Sequence, residues 1–221
     1  MGLTYIDIHT HQPELRAGVV AILNLLAGKT VSNQPADDQL FSVGLHPWHI
    51  EEAKLEEHFS DIEGLAKKKN CLAIGETGLD RLINVSMTLQ KAVFERHIKI
   101  AANLSKPLII HNVKAHAEIS KMIKQARFEM PVIFHGFNNN RQNAGELLKN
   151  GFFLSFGKAL LNPKSNAAQI LGTFPADRFF LETDDSEIDI EPIFEKAAHL
   201  RNIDTNNLKT LIANNFKHCF G

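Results

Sequence analysis

The strongest constraint on the fold of this chain is the alternation of eight short apolar runs with amphipathic segments. The runs are mostly β-branched or aromatic, a composition typical of strands that are buried on both faces of a parallel sheet. They cover residues 3–8, 18–23, 41–45, 71–75, 107–110, 131–134, 152–156 and 179–181. Strands that alternate with helical segments in this way predict an α/β protein.

The segments between most of these runs carry apolar residues at the spacing of one helical face. The predicted helices cover residues 51–68, 87–104, 115–126, 142–149, 163–171, 192–200 and 205–218. Asn150 and Gly151 are predicted to end one helix, and Asn162 followed by Pro163 is predicted to begin the next.

Eight strands with helices between most of them predict a TIM-like (β/α)8 barrel. The segment between His11 and Gly18 has no room for a helix, so we expect the helix between strands 1 and 2 to be missing or reduced. The polar stretch 30–39 is predicted to be a loop. Because the sequence shows no composition shift or repeat, residues 1–221 are predicted to form a single domain.

Composition limits the classes of partner. With 44% hydrophobic and 22% charged residues, the chain can bury a large core without disulfides. The formal net charge of −1 argues against a basic surface that grips many phosphates, although metal ions could still hold a nucleic acid. The two cysteines follow no motif spacing, and neither a signal peptide nor a membrane-spanning stretch is evident. We therefore expect a cytoplasmic protein without a membrane partner.

Histidines and carboxylates recur where the predicted strands end. His9 and His11 are two positions apart, so in an extended strand both point to the same face and can bind one cation. Such a pair also arises by chance in a chain with 11 histidines, so it needs support from other strands. The other strand ends supply His46, Glu76, His111, His135 and Asp184. Because carboxylates that meet at one rim repel each other, their convergence predicts bound divalent cations.

The order and spacing of these motifs resemble a known family, the TatD-related metal-dependent hydrolases of the wider amidohydrolase group. The matching stretches are Asp7-Ile-His9-Thr-His11, Gly44-Leu-His46-Pro47-Trp48-His49, Gly75-Glu76-Thr-Gly78-Leu79-Asp80, Pro107-Leu-Ile-Ile-His111, Ile133-Phe-His135 and Leu181-Glu182-Thr-Asp184. The resemblance covers nearly the whole chain.

The resemblance implies two divalent metal ions, which we expect to be zinc, manganese or magnesium. His9, His11 and Asp184 would bind the first ion, Glu76 would bridge both, and His111 and His135 would complete the second. A two-metal site of this kind activates a water for attack on a phosphodiester, and Asp184 is the expected proton acceptor. The implied catalytic residues are therefore Asp184 and Glu76, with DNA ends or small phosphodiesters as substrate and no obligate protein partner.

The departures from the family concern the substrate. After the strand-5 histidine the family commonly has Ser-Arg-Asp-Ala, whereas this chain has Asn112-Val113-Lys114-Ala115. Lys114 replaces the lost Arg only as a point charge and from a different position. Asp185, Glu187 and Asp189 add negative charge near the predicted site. Leu82 lies where the family favours aromatic residues that could stack on a base.

The sequence alone leaves the roles of several residues open. Lys114 and His46 are the predicted substrate-binding residues, although His46 could instead support a ligand or shape a turn. Asp7 and Glu182 could bind metal, although a carboxylate at such a position more often orients a neighbouring group. Asp80 could orient a ligand or support the loop after Glu76. His97 is predicted to lie in the core, whereas the remaining helical histidines are predicted on the surface: His58, His116, His199 and His218.

The leading function is a divalent-metal phosphodiesterase or deoxyribonuclease of the TatD type. The alternative is a metal-dependent hydrolase of amides, esters or lactones, because an activated water also attacks carbonyl carbon. A third hypothesis is that the chain is not an enzyme but a metal-binding barrel that acts as a binding module.

Overall fold

The computed structural model describes residues 4–29 and 35–221. Eight strands form one sheet in the order of the chain, and the paired strands are parallel. They are β1 (Tyr5–Thr10), β2 (Val19–Leu26), β3 (Phe41–Gly44), β4 (Cys71–Asp80), β5 (Leu108–Val113), β6 (Val132–Phe134), β7 (Phe153–Phe156) and β8 (Phe179–Leu181). This is the strand order of the predicted (β/α)8 fold. Residue 3 of the first predicted strand, and residues 30–34 of the predicted loop, lie outside the described residues.

Seven α-helices lie in the described part of the chain. They are α1 (Leu55–Ala66), α2 (Met87–Asn103), α3 (His116–Gln125), α4 (Arg141–Lys149), α5 (Asn166–Leu171), α6 (Ile190–Arg201) and α7 (Thr205–Phe220). The fully described segment between β1 and β2 contains no helix, as predicted. None of the helices among the described residues is both long and apolar enough to cross a bilayer.

Three predicted strands are longer than expected. One is β2, which continues to Leu26, and the other two extend past predicted ligands. β4 continues to Asp80 and β5 to Val113, so Glu76 and His111 lie within strands and not after them. The reason is Gly78, which has φ +149° and pairs with His111; a β-carbon there would overlap the His111 carbonyl oxygen. The glycines that suggest the end of a strand therefore permit its continuation.

Two helical predictions are wrong. The helix predicted over 163–171 begins at Asn166, because Ser165 is its N-cap and accepts a hydrogen bond from the Ala168 amide at 3.1 Å. Asn162 instead ends the preceding 3₁₀ turn, Lys158–Leu161. His58 is buried and not exposed, because α1 packs it against Gly28, where an added β-carbon would lie 2.6 Å from its Nε2.

The chain divides into two compact units. The first unit holds the residues up to Leu23 together with Phe134–Gly221, and the second holds Asn24–Ile133. In the first unit, Phe156, Phe179, Phe180 and Phe194 are fully buried. In the second unit, Phe41, Phe59 and Phe94 fill the core. That residues 1–221 form a single domain stays a prediction.

Candidate metal-binding clusters

The first unit brings together His9, His11 and Asp184. The Nε2 atoms of the two imidazoles lie 3.5 Å and 3.6 Å from Asp184 Oδ1. Main-chain pairing sets this arrangement, since the Asp184 amide donates to the His9 carbonyl at 2.9 Å and the His11 amide donates to the Asp184 carbonyl at 3.1 Å. Asp184 has φ +55°, a left-handed conformation that aspartate adopts more readily than most residues.

The separations between the Asp184 carboxylate oxygen and the two imidazole nitrogens fit a bound cation. Both distances exceed those of ordinary N–H···O hydrogen bonds. Two atoms that bind the same tetrahedral zinc ion, each about 2.0–2.2 Å from it, are about 3.3–3.6 Å apart. The observed separations of 3.5 Å and 3.6 Å match that geometry. Two imidazoles and one carboxylate are also a ligand set that zinc and manganese accept.

The side chain of Asp7 supports this cluster by holding the main chain next to His9 and Asp184. Its carboxylate accepts hydrogen bonds from the Thr183 hydroxyl at 2.6 Å, the Thr183 amide at 3.0 Å and the His9 amide at 3.4 Å. Burial raises the pKa of Asp7 to about 7, against the opposite effect of these hydrogen bonds. Asp7 therefore orients the segments that carry His9 and Asp184, one of the roles considered for it from the sequence.

His135 lies beside a second carboxylate of the same unit. Glu182 is fully buried; its Oε1 accepts the Gly136 amide at 2.6 Å and lies 3.6 Å from His135 Nδ1. One ligand atom each from His135, Glu182 and Asp184 lie within 4.8 Å of one another. The imidazoles of His9 and His135 are 4.3 Å apart between ring centroids. Four of the six predicted metal ligands, His9, His11, His135 and Asp184, thus lie within the first unit.

The second unit holds a cluster centred on the buried Glu76. Glu76 Oε1 lies 2.9 Å from His111 Nδ1 and 3.1 Å from His46 Nε2. The side chain of Asn24 donates to Glu76 Oε2 at 3.1 Å, and its amide oxygen accepts the Glu76 amide at 2.9 Å. Asn24 is not among the residues predicted from the sequence, although a carboxamide within the apolar strand β2 is a signal that could have indicated it.

The hydrogen bonds of His46 define its tautomer. Its Nδ1 accepts the Trp48 amide at 3.1 Å, so the neutral ring carries its proton on Nε2 and donates it to Glu76. His46 therefore positions the Glu76 carboxylate. Its predicted contact with substrate stays a prediction.

Asp80 combines the two roles considered for it. Its carboxylate accepts hydrogen bonds from Trp48 Nε1 at 2.7 Å and from the Leu82 amide at 2.7 Å, and it lies 3.4 Å from His111 Nε2. Burial alone would raise the pKa of Asp80, but these hydrogen bonds together hold the pKa below its usual value. The Gln90 side chain accepts the Asp80 amide at 2.8 Å and donates to the Asp80 carbonyl at 2.9 Å, which fixes the main chain at this residue. Asp80 thus shapes the loop and orients His111.

His97 is a core histidine, as predicted. Its Nε2 accepts the Leu45 amide at 3.0 Å, and its Nδ1 donates to the Val93 carbonyl at 2.8 Å. Burial lowers the pKa of His97 to about 4, so the ring is neutral at pH 7. It holds the main chain one residue before His46.

The two predicted substrate-binding residues differ in exposure, since His46 is buried and Lys114 is not. Lys114 is exposed and follows β5 with φ +54°. Two of the three acidic residues that follow the strand-8 aspartate are ion-paired: Asp185 with Lys158 at 2.8 Å, and Asp189 with Arg16 at 2.8 Å. These pairs reduce the negative charge that the sequence predicted in this region.

Comparison with known proteins identifies the family. A family model described as TatD related DNase matches residues 24–221. A protein from Buchnera aphidicola subsp. Baizongia pistaciae named as an uncharacterized metal-dependent hydrolase is 32% identical over 148 residues, or 66% of this chain and 55% of that protein. The 3'-5' ssDNA/RNA exonuclease TatD of Edwardsiella piscicida is 28% identical over 200 residues, or 81% of this chain and 76% of that protein.

The fold comparison agrees with the sequence comparison. The crystal structure of YjjV, a TatD homologue from Escherichia coli K12, superposes with a TM-score of 0.83 at 20% identity, over 100% of this chain and 99% of that one. With the strand order, this likeness confirms the TIM-like barrel fold. The chain spans just over half the length of the first curated relatives that it matches. Because the family model matches most of the sequence, the chain belongs to the TatD related DNase family.

Proposed function

We propose that this chain is a divalent-metal-dependent phosphodiesterase, a deoxyribonuclease of the TatD type. The observation that carries the proposal is the separation of 3.5 Å and 3.6 Å between Asp184 Oδ1 and the imidazoles of His9 and His11. This is the spacing of ligands around one cation. The exonuclease name of the Edwardsiella relative supports a nucleic-acid substrate.

His9, His11 and Asp184 are the proposed ligands of one ion. Glu76 and His111 are the ligands that the second unit contributes to a second ion, and His135 remains a proposed ligand from the first unit. Divalent cations bound at such a centre lower the pKa of a water molecule and stabilise the oxygens of a phosphodiester during displacement. Zinc or manganese suits the number of imidazoles, and magnesium suits the carboxylates.

The side chains of the chain itself supply positioning and proton transfer. Asp184 has about a third of its side chain exposed, so its carboxylate can accept a proton from a water that enters from solvent. Glu76 is held in one orientation by Asn24 and His46. A carboxylate that is held in this way keeps its place when substrate and cations arrive.

The test compares metal-depleted protein with protein that is reconstituted with zinc, manganese or magnesium. Each preparation is analysed for metal content and assayed with a 3'-labelled single-stranded DNA, a phosphomonoester, a carboxylic ester, a lactone and an amide. We expect phosphodiester hydrolysis that is absent after chelation and is restored by metal. Turnover of esters, lactones or amides alone would replace the proposal with the carbonyl hydrolase. Stoichiometric metal without any turnover would replace it with a binding function.

A further inference from the structure

The only tryptophan of the sequence is largely exposed. Trp48 lies in the 3₁₀ turn Pro47–His49, and 60% of its surface is accessible to solvent. Large aromatic side chains are more often buried in the core of a protein. Trp48 lies two positions after His46, the residue that donates to Glu76. The exposure of the indole so close to His46 and Glu76 therefore points to a binding role.

The indole is held in place, although most of its surface is open. Its Nε1 donates to Asp80 Oδ2 at 2.7 Å, and Asp80 is itself buried. The ring also meets the imidazole of His46 edge-to-face, with 5.1 Å between centroids, and that of His111 at 6.1 Å. A ring that is fixed in this way loses little conformational freedom when a planar ligand stacks on it.

A second exposed apolar side chain is tied to the same carboxylate. Leu82 is 66% exposed, and its amide donates to Asp80 Oδ1 at 2.7 Å. Asp80 also lies 3.4 Å from His111 Nε2, so the carboxylate that anchors both residues touches a proposed metal ligand. We call Trp48 and Leu82 the apolar platform.

We propose that the apolar platform binds a nucleobase of the substrate, next to the phosphodiester that is cleaved. The inference rests on the proposed function. Every base presents a π-face, and proteins that hold single strands commonly stack successive bases on aromatic side chains. The overall charge of −1 leaves little attraction for phosphate, which makes a base contact more important for binding.

The chemistry of the platform also indicates its specificity. The only polar side-chain atom of Trp48 is the ring N–H, which Asp80 occupies, and Leu82 has none. No side-chain donor or acceptor of the platform is left to read the edge of a base. We therefore expect the subsite to accept all four bases, with a preference for purines because they offer a larger stacking area.

The single tryptophan makes binding measurable without turnover. Metal-depleted protein is titrated with a phosphorothioate hexathymidylate and with a hexamer of abasic residues that carries the same number of phosphates. We expect saturable quenching of the tryptophan emission by hexathymidylate and at least ~10-fold weaker quenching by the abasic hexamer. Equal quenching by both oligomers would show that phosphate is bound and would overturn the proposal.

Variants separate stacking from structural effects. With metal-loaded protein, Trp48→Leu is expected to raise the KM for oligonucleotides at least ~10-fold while kcat changes less than ~3-fold, and Trp48→Phe is expected to retain most of the affinity. Leu82→Ala should raise KM by a smaller factor. Leu15→Ala is the matched control, because Leu15 is a 58% exposed leucine of the first unit. Unchanged KM in Trp48→Leu would also overturn the proposal.

The outcomes distinguish this inference from the proposed function. If the wild type hydrolyses DNA and abasic oligomers equally well, only the base subsite fails. If it hydrolyses no phosphodiester yet hexathymidylate still quenches the emission, only the proposed function fails. If aryl esters quench the emission and nucleotides do not, the platform binds the aromatic group of an ester and the nucleobase proposal is wrong.

Discussion

The two units organise their ligand-type residues in different ways. In the second unit, Glu76 lies within 3.1 Å of donor atoms from Asn24, His46 and His111. In the first unit, Asp184 lies 3.5 Å and 3.6 Å from the imidazoles of His9 and His11, beyond ordinary hydrogen-bond distance. Side chains therefore fix the Glu76 cluster, whereas main-chain pairing between the ends of β1 and β8 fixes the Asp184 cluster.

The two clusters therefore differ in what fixes their geometry and in what balances their negative charge. The negative charge of Glu76 is stabilised by donors that the protein itself supplies. The Asp184 cluster has its geometry from the backbone, and a cation at that place would supply the charge that balances the carboxylate. We expect the Asp184 cluster to be sensitive to removal of single ligands, and the Glu76 cluster to be sensitive to changes in the residues that surround it.

The largest expected effect is that of Asp184→Ala. The substitution removes one proposed ligand and the proposed proton acceptor together, so we expect kcat/KM for a phosphodiester to fall by about 10³-fold or more. Metal analysis should show a loss of bound metal in the same preparation. The control is Asp185→Ala, which removes the neighbouring exposed carboxylate and its ion pair with Lys158. Equal losses in both variants would contradict the special role of Asp184.

A second prediction concerns the buried histidine that holds the main chain one residue before His46 in the second unit. His97 holds the Leu45 amide only in its neutral form, because its Nε2 accepts that hydrogen bond. Its pKa is about 4 in the folded protein and 6.5 in the reference state, so the unfolded chain takes up the proton first as the pH falls. The stability contributed by His97 is complete above pH 6.5 and is lost as the pH falls towards 4. One pKa unit corresponds to about 1.4 kcal/mol, so the loss is about 3 kcal/mol in total.

Urea unfolding of the wild type and of His97→Gln between pH 7 and pH 4 measures this contribution. The wild type should lose about 3 kcal/mol more than the variant over that range. Val93→Ala is the control, because it weakens packing in α2 without removing a titratable group, and it should lower stability by a similar amount at each pH. Parallel pH profiles of the wild type and His97→Gln would show that the buried histidine does not couple stability to pH.

The sequence could predict which ligand-type residues gather within each unit, but not how each is held. The two-residue repeat of a strand is enough to place His9 and His11 on one face, and the ends of parallel strands share one edge. The apolar runs at 152–156 and 179–181 likewise predicted the positions of β7 and β8. These features depend on local periodicity, which a sequence displays directly.

The errors occur where a long-range contact changes the meaning of a local signal. Gly78 favours the end of a strand on propensity, yet β4 continues there because β5 passes too close for a side chain. The role of His46 depends on its tautomer, which is set by the Trp48 amide in a short 3₁₀ turn. Asn24 lies in an apolar strand, and only the fold shows that Glu76 is its partner. Such pairings are properties of the folded chain.

The smallest expected effect is that of Asn24→Asp on metal affinity, which tests whether side chains organise the Glu76 cluster. Asn24→Asp keeps an acceptor for the Glu76 amide but places a carboxylate against Glu76 Oε2, where the carboxamide now donates at 3.1 Å. Because residues that orient a ligand typically contribute about 10–100-fold to metal affinity, we expect a loss in that range in competition with a fluorescent chelator. Ser42→Ala is the matched control: it removes only a 3.3 Å hydrogen bond to Asn24 Oδ1 and should change affinity less. If Asn24→Asp binds the metal as tightly as the wild type, side-chain support is not what organises the Glu76 cluster, and the contrast with the backbone-held Asp184 cluster is lost.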